Sequence, residues 1–324
     1  MNLSNLSYLD KKQFLHELKN YLISYRDQIG VDEKYTFGVE IEFVGPRHED
    51  IRKIVKDQFN DFLLVHEGTL NDELHLDKAT NVFGGEIKSP ILVDEEKDWK
   101  KLEQVCSMLK ENKGYVNGDC GGHIHVGSQI LENKENLKKF LKLWTVFEDI
   151  IYRFGYGEDK KHRSAISTYA KPISNKIKAF LDEQNKVSAY KFNKYLGFDR
   201  LYAMNFRYTF SLDKKYINNT IELRCPNGTL NPIIWQNNIN FFVKLLLRCT
   251  KDENWDIIDK YIEDYNSKHY KLHNYNDLNI DKALILSDFI FEDELDKKNF
   301  MKQYIKIQDN FVNKHITKNK KITR

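Results

Sequence analysis

Four short segments of the chain place ionisable side chains two residues apart, with apolar residues between them. The segments are residues 37–43, 86–88, 123–126 and 221–224. In a β-strand, alternate residues point to the same face, so each segment would turn its charged or imidazole groups one way and its apolar groups the other. The groups that would share the polar face are Glu40, Glu42, Glu86, His123, His125, Glu222 and Arg224. Because a buried charge is costly unless it is paired or bound to a metal, this pattern predicts a site that gathers carboxylates around cations.

The glutamates of this set admit two interpretations. Glu40 and Glu42 alternate cleanly with Phe, Val and Ile, and Gly38 and Gly45 flank the pair. An isolated pair of this kind is also typical of an edge strand with two solvated glutamates. The functional alternative is that the pair binds a hard divalent cation, which takes oxygen ligands. Glu86 follows two glycines and adds a third carboxylate to the predicted site.

The histidines also leave two roles open. His123 and His125 are preceded by two glycines and followed by a third. Two hydrogen-bonded core histidines would give the same pattern, whereas the glycines suit a backbone that approaches a ligand closely. A zinc site would need a further soft ligand, and Cys120 is the local candidate.

Basic residues could supply the phosphate-binding part of such a site. Glu222 and Arg224 could form a salt bridge on one strand face, or the carboxylate could hold a metal while the guanidinium binds a phosphate through two hydrogen bonds. Arg163 lies in a Lys-His-Arg-Ser run that is typical of a solvated loop or of a mobile basic lid over phosphate. The sequence contains neither a Walker motif nor a dinucleotide-binding glycine motif, so phosphate binding would depend on cations and metals.

Composition restricts the class of protein. The 324 residues carry 51 basic and 48 acidic side chains, which gives a net charge of +3. This charge argues neither for nor against a nucleic-acid partner. We predict no nucleic-acid partner. We also predict no membrane partner, because no apolar run approaches the length of a membrane span. The N-terminus lacks the features of a signal peptide, and the four cysteines lie far apart, so a reducing, cytoplasmic location is expected.

Helices and strands are intermixed along the predicted chain. Helical patterns cover residues 3–29, 47–60, 94–113, 132–156, 232–249 and 252–316. Strand patterns cover residues 35–44, 62–66, 81–91, 122–128, 203–212 and 219–225. The stretch 157–200 is predicted to be a loop with two short helices, and Asn231 is a good N-cap for the helix that follows it. Because the two types of element do not alternate strictly, an α+β fold is favoured over a doubly wound parallel sheet.

Taken in order, these motifs resemble the glutamine-synthetase superfamily of carboxylate–amine ligases, and most specifically its amidoligase branch. The motifs that carry the resemblance are residues 37–43, 86–90, 121–127 and 220–231, with weaker similarity at 163–172 and 201–205. The resemblance implies a curved, half-open antiparallel β-barrel or sheet flanked by helices, with the site on its concave face. It also implies three parts of the chain: an N-terminal helical extension (1–30), a catalytic domain (31–250) and a helical C-terminal region packed on that domain (251–324).

The resemblance further implies a ligand set. Two or three Mg²⁺ or Mn²⁺ ions would be coordinated by Glu40, Glu42, Glu86, His123 and Glu222. Arg224 would neutralise the phosphates of ATP, with His125, Arg163 and Asn205 also near the nucleotide or the acyl phosphate. Glu67 is our candidate for the base that deprotonates the amine.

The expected activity is ATP-dependent formation of an amide or peptide-like bond through an acyl phosphate. The substrates would be a carboxylate and an amine, either small molecules or peptides, and the sequence indicates neither their identity nor the oligomeric state. Two alternatives remain. The first is a zinc-dependent hydrolase that uses His123 and His125, and the second is a non-catalytic binding protein that retains the fold.

Overall fold

A six-stranded antiparallel sheet forms the centre of the computed structural model. The model describes residues 2–70, 83–131, 133–183, 186–197, 199–206, 219–265, 275 and 277–306. The strands are β1 (Phe37–Arg47), β2 (Leu63–Val65), β3 (Phe83–Lys88), β4 (Gly122–Gly127), β5 (Met204–Asn205) and β6 (Thr220–Leu223). Their order is β2-β3-β1-β4-β6-β5. Across the described residues the sheet is therefore open, with β2 and β5 as its edges.

One face of this sheet is apolar and covered. Val39, Ile41 and Phe43 of β1 are at most 2% exposed, and Ile124 and Leu223 of the neighbouring strands are fully buried. Helices pack behind them, where α8 contacts β4, α3 and α4. Because side chains alternate along each strand, burial of this set turns the intervening polar residues towards the opposite face.

Eleven α-helices surround the sheet in the described part of the chain. Those before β5 are α1 (Tyr8–Asn20), α2 (His48–Gln58), α3 (Glu96–Glu111), α4 (Lys134–Gly155), α5 (Ile166–Tyr169), α6 (Ser174–Glu183) and α7 (Ala189–Tyr195). Those after β6 are α8 (Pro232–Arg248), α9 (Asp256–Tyr265), α10 (Ile280–Ile290) and α11 (Glu294–Ile305). A short 3₁₀ helix (Ser128–Leu131) follows β4.

Several predicted helices are confirmed, and α8 is confirmed together with its cap. Helices α2, α3 and α4 lie within the predicted ranges 47–60, 94–113 and 132–156. The side chain of Asn231 accepts a hydrogen bond from the backbone N–H of Ile233, and Pro232 occupies the first turn, as the sequence predicts.

The N-terminal helix is much shorter than the predicted range 3–29. It begins after the N-cap Ser7 and ends at Asn20, where the backbone becomes extended. The apolar residue Ile29 follows the helical spacing, but its backbone N–H donates to the buried carboxylate of Asp94 at 2.8 Å. Tertiary hydrogen bonding therefore holds this segment in a non-helical conformation.

Other differences affect the lengths and number of elements. Strands predicted at 62–66 and 219–225 are shorter, and the strand predicted at 203–212 is described only as Met204–Asn205, since residues 207–218 lie outside the described residues. Where the structure describes the stretch 157–200, it contains three short helices, α5 to α7, rather than two. The predicted helical region 252–316 is not one continuous helix, because α9, α10 and α11 are separate wherever it is described.

The predicted α+β class with an antiparallel sheet flanked by helices is confirmed. The glutamine-synthetase-like form of that sheet stays a prediction. Among the residues that the structure describes, no helix combines the length and the apolar character needed to cross a membrane.

Candidate functional site

The strand register brings the polar groups of four segments onto one face of the sheet. In β1, Glu40 lies opposite Lys88 of β3 on one side and His123 of β4 on the other. Residues directly opposite each other in an antiparallel pair share a face and lie close together. Further opposed pairs on this face are Glu42 with Glu86, Gly38 with His125, His125 with Glu222, and Glu222 with Asn205.

Glu40 is the centre of a network of ion pairs. Its Oε2 lies 3.0 Å from His123 Nδ1, and its Oε1 lies 3.3 Å from His125 Nε2. The ammonium group of Lys88 lies 2.6 Å from Glu40 Oε1 and 3.1 Å from Glu86 Oε2. Lys88 therefore bridges the two acidic side chains.

Burial and neighbouring charges change the protonation of this network. Burial opposes ionisation of Glu40, but hydrogen bonds to His123 and His125 outweigh it and lower the pKa of Glu40 below its usual range. Burial and the charge of Glu40 raise the pKa of Glu86 to about 9. Burial works against the charge of Lys88, yet Glu40 and Glu86 raise the pKa of its ammonium group above the usual value. At neutral pH, Glu86 therefore holds a proton next to an ionised Glu40.

Glu42 is held at the end of the site where β4 begins. Its Oε2 accepts a hydrogen bond of 2.5 Å from the backbone N–H of Gly121, and its Oε1 lies 3.6 Å from His123 Nε2. The Glu42 side chain is 6% exposed. It is therefore not one of two solvated glutamates on an edge strand, since β1 pairs on both sides.

Glu222 and Arg224 form the salt bridge that the spacing suggested. Glu222 Oε1 pairs with Arg224 Nη1, and Glu222 Oε2 accepts a 2.8 Å hydrogen bond from the side-chain amide of Asn205. Burial opposes the charge of Glu222, but Arg224, His123 and His125 outweigh it and lower the pKa of this carboxyl. Asn205 does not line the cavity described below, so its geometry favours positioning Glu222 over direct contact with a nucleotide.

Arg163 is buried, in contrast to the solvated loop or mobile lid suggested by its sequence context. It is 5% exposed, and its Nη2 donates to the carbonyl of Arg224 at 3.1 Å. Its backbone N–H donates to Asn227 Oδ1 at 2.9 Å, which fixes the loop. The guanidinium lies against Gly121, where a Cβ atom would come within 1.7 Å of Arg163 Nη1. Gly121 therefore admits the arginine side chain, rather than the ligand that the glycine pattern suggested.

A cavity of about 290 Å³ lies over this face of the sheet. It is lined by Glu40, Glu42, Glu67, Thr69, Glu86, Lys88, Asp119, His123, His125, Arg163, Tyr169, Arg200, Leu201, Glu222 and Arg224. Nine of the ten predicted site residues thus meet around one space, and Asn205 is the exception. Glu67 reaches it from the loop after β2, where its Oε1 accepts hydrogen bonds from the N–H and the hydroxyl of Thr69.

Three charged residues of this cavity, Lys88, Asp119 and Arg200, are not among the predicted site residues. Lys88 ends the segment 86–88, whose spacing already puts it on the same face as Glu86, but no role was predicted for it. Asp119 comes just before the glycine pair that leads into β4, which is a weaker signal. Arg200 lies in an irregular segment between α7 and β5, so no periodicity could have identified it.

The donor set fits a divalent cation. Two groups, Glu40 with Glu86 and His123, and Glu40 with His125 and Glu222, each offer three ligand atoms within 4.8 Å of one another. The Nε2 atoms of His123 and His125 are buried and face carboxylate oxygens, at 3.6 Å from Glu42 Oε1 and 3.3 Å from Glu40 Oε1 respectively. Each group offers two carboxylates, which suit Mg²⁺ or Mn²⁺, and one imidazole. The roles of these residues as ligands remain predictions.

The zinc alternative receives no support from Cys120. Neither candidate group among the described residues includes a cysteine. The Cys120 side chain is fully buried beside Gly228, and burial raises the pKa of its thiol to about 12. Cys120 also does not line the cavity that holds the carboxylates and imidazoles.

Comparison with known proteins places this site in a family. A search of curated proteins found no match to the chain. The family model described as "Putative amidoligase enzyme" matches residues 33–246, which include all ten predicted site residues. The family indicates an enzyme of the ligase type. Since the match covers more than half of the 324 residues, the chain belongs to the amidoligase family.

Proposed function

We propose that the protein is an ATP-dependent carboxylate–amine ligase that uses Mg²⁺ or Mn²⁺. The observation that carries the proposal is that four buried or nearly buried glutamates and two imidazoles share one cavity with three arginines. The glutamates are Glu40, Glu42, Glu86 and Glu222. Such a cavity offers acidic groups for cations and basic groups for phosphate. Membership of the amidoligase family agrees with this proposal.

The electrostatic problem of the reaction explains why both parts are needed. A carboxylate and a triphosphate are both anions, and two like charges about 4 Å apart repel by roughly 4 kcal/mol near a protein surface. Glu40, Glu86, His123, His125 and Glu222 would hold the divalent cations, which would neutralise the phosphates and polarise the transferred phosphoryl group. Arg224 and Arg163 would stabilise the charge that develops on the phosphoryl oxygens.

The reaction would proceed in two displacements. An oxygen of the substrate carboxylate attacks the γ-phosphorus of ATP, so that a C–O–P linkage forms and the bond to the β-phosphate oxygen breaks. The amine nitrogen then attacks the acyl carbon, the C–N bond forms, and inorganic phosphate leaves. Glu67 is the candidate to accept the proton that the amine loses, because its carboxylate lines the cavity and Thr69 fixes one of its oxygens.

The reaction class can be tested directly. The protein is incubated with ATP, Mg²⁺ or Mn²⁺, and pooled carboxylates, amino acids and peptides, and the products are analysed by mass spectrometry. We expect phosphate release together with a product one water lighter than its two reactants. A carboxylate labelled with heavy oxygen should transfer one labelled atom to the released phosphate, because that oxygen attacks phosphorus. Phosphate release without any condensed product would rule out the ligase activity. The cytoplasmic location stays a prediction.

A further inference from the structure

A second cavity adjoins the first at the end of the sheet where β1 begins. Its volume is about 440 Å³. The two cavities share three lining residues, namely Glu40, Lys88 and His125. We call these three residues the common wall, because each of them lines both cavities.

The two cavities lie in line along β1. Gly38 lines the second cavity, Glu40 belongs to the common wall, and Glu42 lines the first cavity. These residues alternate in one strand and therefore point to the same face. At roughly 3.3 Å per residue, the distance from Gly38 to Glu42 is about 13 Å, enough for two substrates to meet end to end near Glu40.

The chemistry of the second cavity differs from that of the first. Apart from the common wall, the described residues that line it carry no ionisable side chain. Hydroxyl and amide groups line part of it, for example Gln129 and Asn219, and apolar groups line the rest, for example Pro90 and Ile91. The first cavity, by contrast, adds Asp119, Arg200 and other charged groups. The part of a ligand that lies against these walls should be uncharged and amphipathic, because a charged group there would lose hydration without gaining a partner.

The common wall selects which end of that molecule points inwards. Lys88 has three donor hydrogens, and Glu40 and Glu86 are its two carboxylate partners in the described chain. A third donor can therefore face an incoming anion. An incoming ammonium would meet the like charge of Lys88, while Glu40 already interacts with Lys88, His123 and His125.

From these observations we infer that the second cavity binds the carboxylate substrate, with its carboxylate at Lys88 and an uncharged body between Ile91 and Gln129. N-acylated amino acids with neutral side chains, and peptides that end in them, have this chemistry. The inference rests on the proposed ligase function for the use made of the bound carboxylate, but the binding itself requires no turnover.

Binding is tested with a panel of small carboxylates. The probes are N-acetyl-leucine, N-acetyl-phenylalanine and N-acetyl-glutamine, each compared with its carboxamide, and N-acetyl-glutamate and N-acetyl-lysine as probes with a charged body. Affinities are measured by calorimetry and saturation-transfer NMR, with and without Mn²⁺ and a non-hydrolysable ATP analogue. We expect at least one neutral-bodied carboxylate to bind at least tenfold more tightly than its carboxamide and than both charged-body probes. Failure of all three neutral carboxylates to bind under either condition would overturn the inference.

Two variants locate the binding. Ile91→Glu places a negative charge in the wall, and Gly38→Val fills the cavity at a position where an added Cβ would meet only the Ser89 hydroxyl within 3.4 Å. Each should weaken binding of the neutral carboxylate at least tenfold, and Ile91→Glu should leave Mn²⁺ affinity unchanged. Leu22→Glu is the matched control, because Leu22 is 82% exposed and lines neither cavity, and it should bind like the wild type. Unchanged binding in Ile91→Glu would overturn the assignment even if Gly38→Val failed to fold.

The test separates this inference from the proposed function. If a neutral carboxylate binds, is lost in Ile91→Glu, and yet never appears in a condensed product, the cavity assignment stands and the ligase function fails. If ATP-dependent condensation occurs only with carboxylates that carry a charged side chain, the ligase function stands and the cavity assignment fails.

Discussion

Glu86 is the carboxyl group that should respond most strongly to a bound cation. Its pKa is raised to about 9 by burial and by the charge of Glu40, so the metal-free protein carries a proton there at neutral pH. A cation binds the ionised form, so the proton must leave, and cation affinity should rise with pH until about pH 9. We expect an increase of up to about tenfold per pH unit for one released proton.

The measurement is Mn²⁺ titration calorimetry in buffers of different ionisation enthalpy, which gives the number of protons released. Glu86→Gln is the matched variant, and it should bind Mn²⁺ more weakly but lose most of the pH dependence below about pH 9. A wild-type affinity that stays flat over this range would contradict the protonation assigned to Glu86.

Glu222 tests whether the ligand set acts in catalysis. The carboxylate is buried and pairs with Arg224 and Asn205, so Glu222→Ala would remove the carboxylate partner of Arg224 at a cost of roughly 3–5 kcal/mol of stability. Glu222→Gln keeps the shape and is the better variant. We expect it to remain folded and to lose at least about tenfold in Mn²⁺ affinity and in metal-dependent ATP turnover. Full turnover in a folded Glu222→Gln protein would exclude Glu222 from the ligand set.

The turn that leads into β4 determines where Arg163 can lie. A Cβ atom at Gly121 would come within 1.7 Å of Arg163 Nη1 and 2.7 Å of His123 Nε2. Gly121→Ala should therefore displace the guanidinium and lower ATP turnover. It should also lower the free energy of unfolding by roughly 1–3 kcal/mol.

A double-mutant cycle with Arg163→Ala isolates the cause. Removal of the guanidinium removes the closest clash, so the effects of the two substitutions on stability should fall short of their sum by at least about 0.5 kcal/mol. Gly68→Ala is the control for the glycine substitution itself, since its added Cβ would meet nothing within 4 Å. Strict additivity would mean that Gly121 does not serve to admit Arg163.

The elements differ in how well the sequence could predict them. The strands that carry the glutamates and histidines were predictable because one face is buried, and a shift of one residue would turn every charge into the core. The end of α1 at Asn20 was not predictable, because the backbone N–H of Ile29 donates a hydrogen bond to Asp94, which is distant in the sequence. The burial of Arg163 was not predictable either, since its contact with Gly121 joins residues more than forty positions apart.

Regions outside the family match contribute to the same fold. Asp296 in α11 is 1% exposed and pairs with Arg26, which precedes β1, at 2.9 Å. Its other partners are Lys244 at 2.5 Å and Asn240 at 2.9 Å, both in α8. One buried carboxylate thus links the N-terminal segment, the matched region and the C-terminal helices.

Asp296→Ala should therefore destabilise the whole protein. The substitution leaves two cations near a buried site without their partner, and a loss of roughly 3–5 kcal/mol is expected. Chemical denaturation followed by tryptophan fluorescence measures it, and Asp32→Ala is the control, because Asp32 forms an exposed pair with Lys34 and should change stability far less. An equally small change in Asp296→Ala would indicate that the outlying helices unfold independently, and would support the predicted division of the chain into three parts.

The lysine that bridges Glu40 and Glu86 has a consequence for the whole molecule. Because Lys88 already balances these acids from within the sheet, the chain should not need an external ion in order to fold. In EDTA we expect the far-ultraviolet circular dichroism spectrum and a single cooperative thermal transition to persist, whereas Lys88→Met should acquire a transition that depends on added Mn²⁺. Removal of divalent ions would then abolish activity while the protein stays folded, and adding them back would restore activity without any refolding.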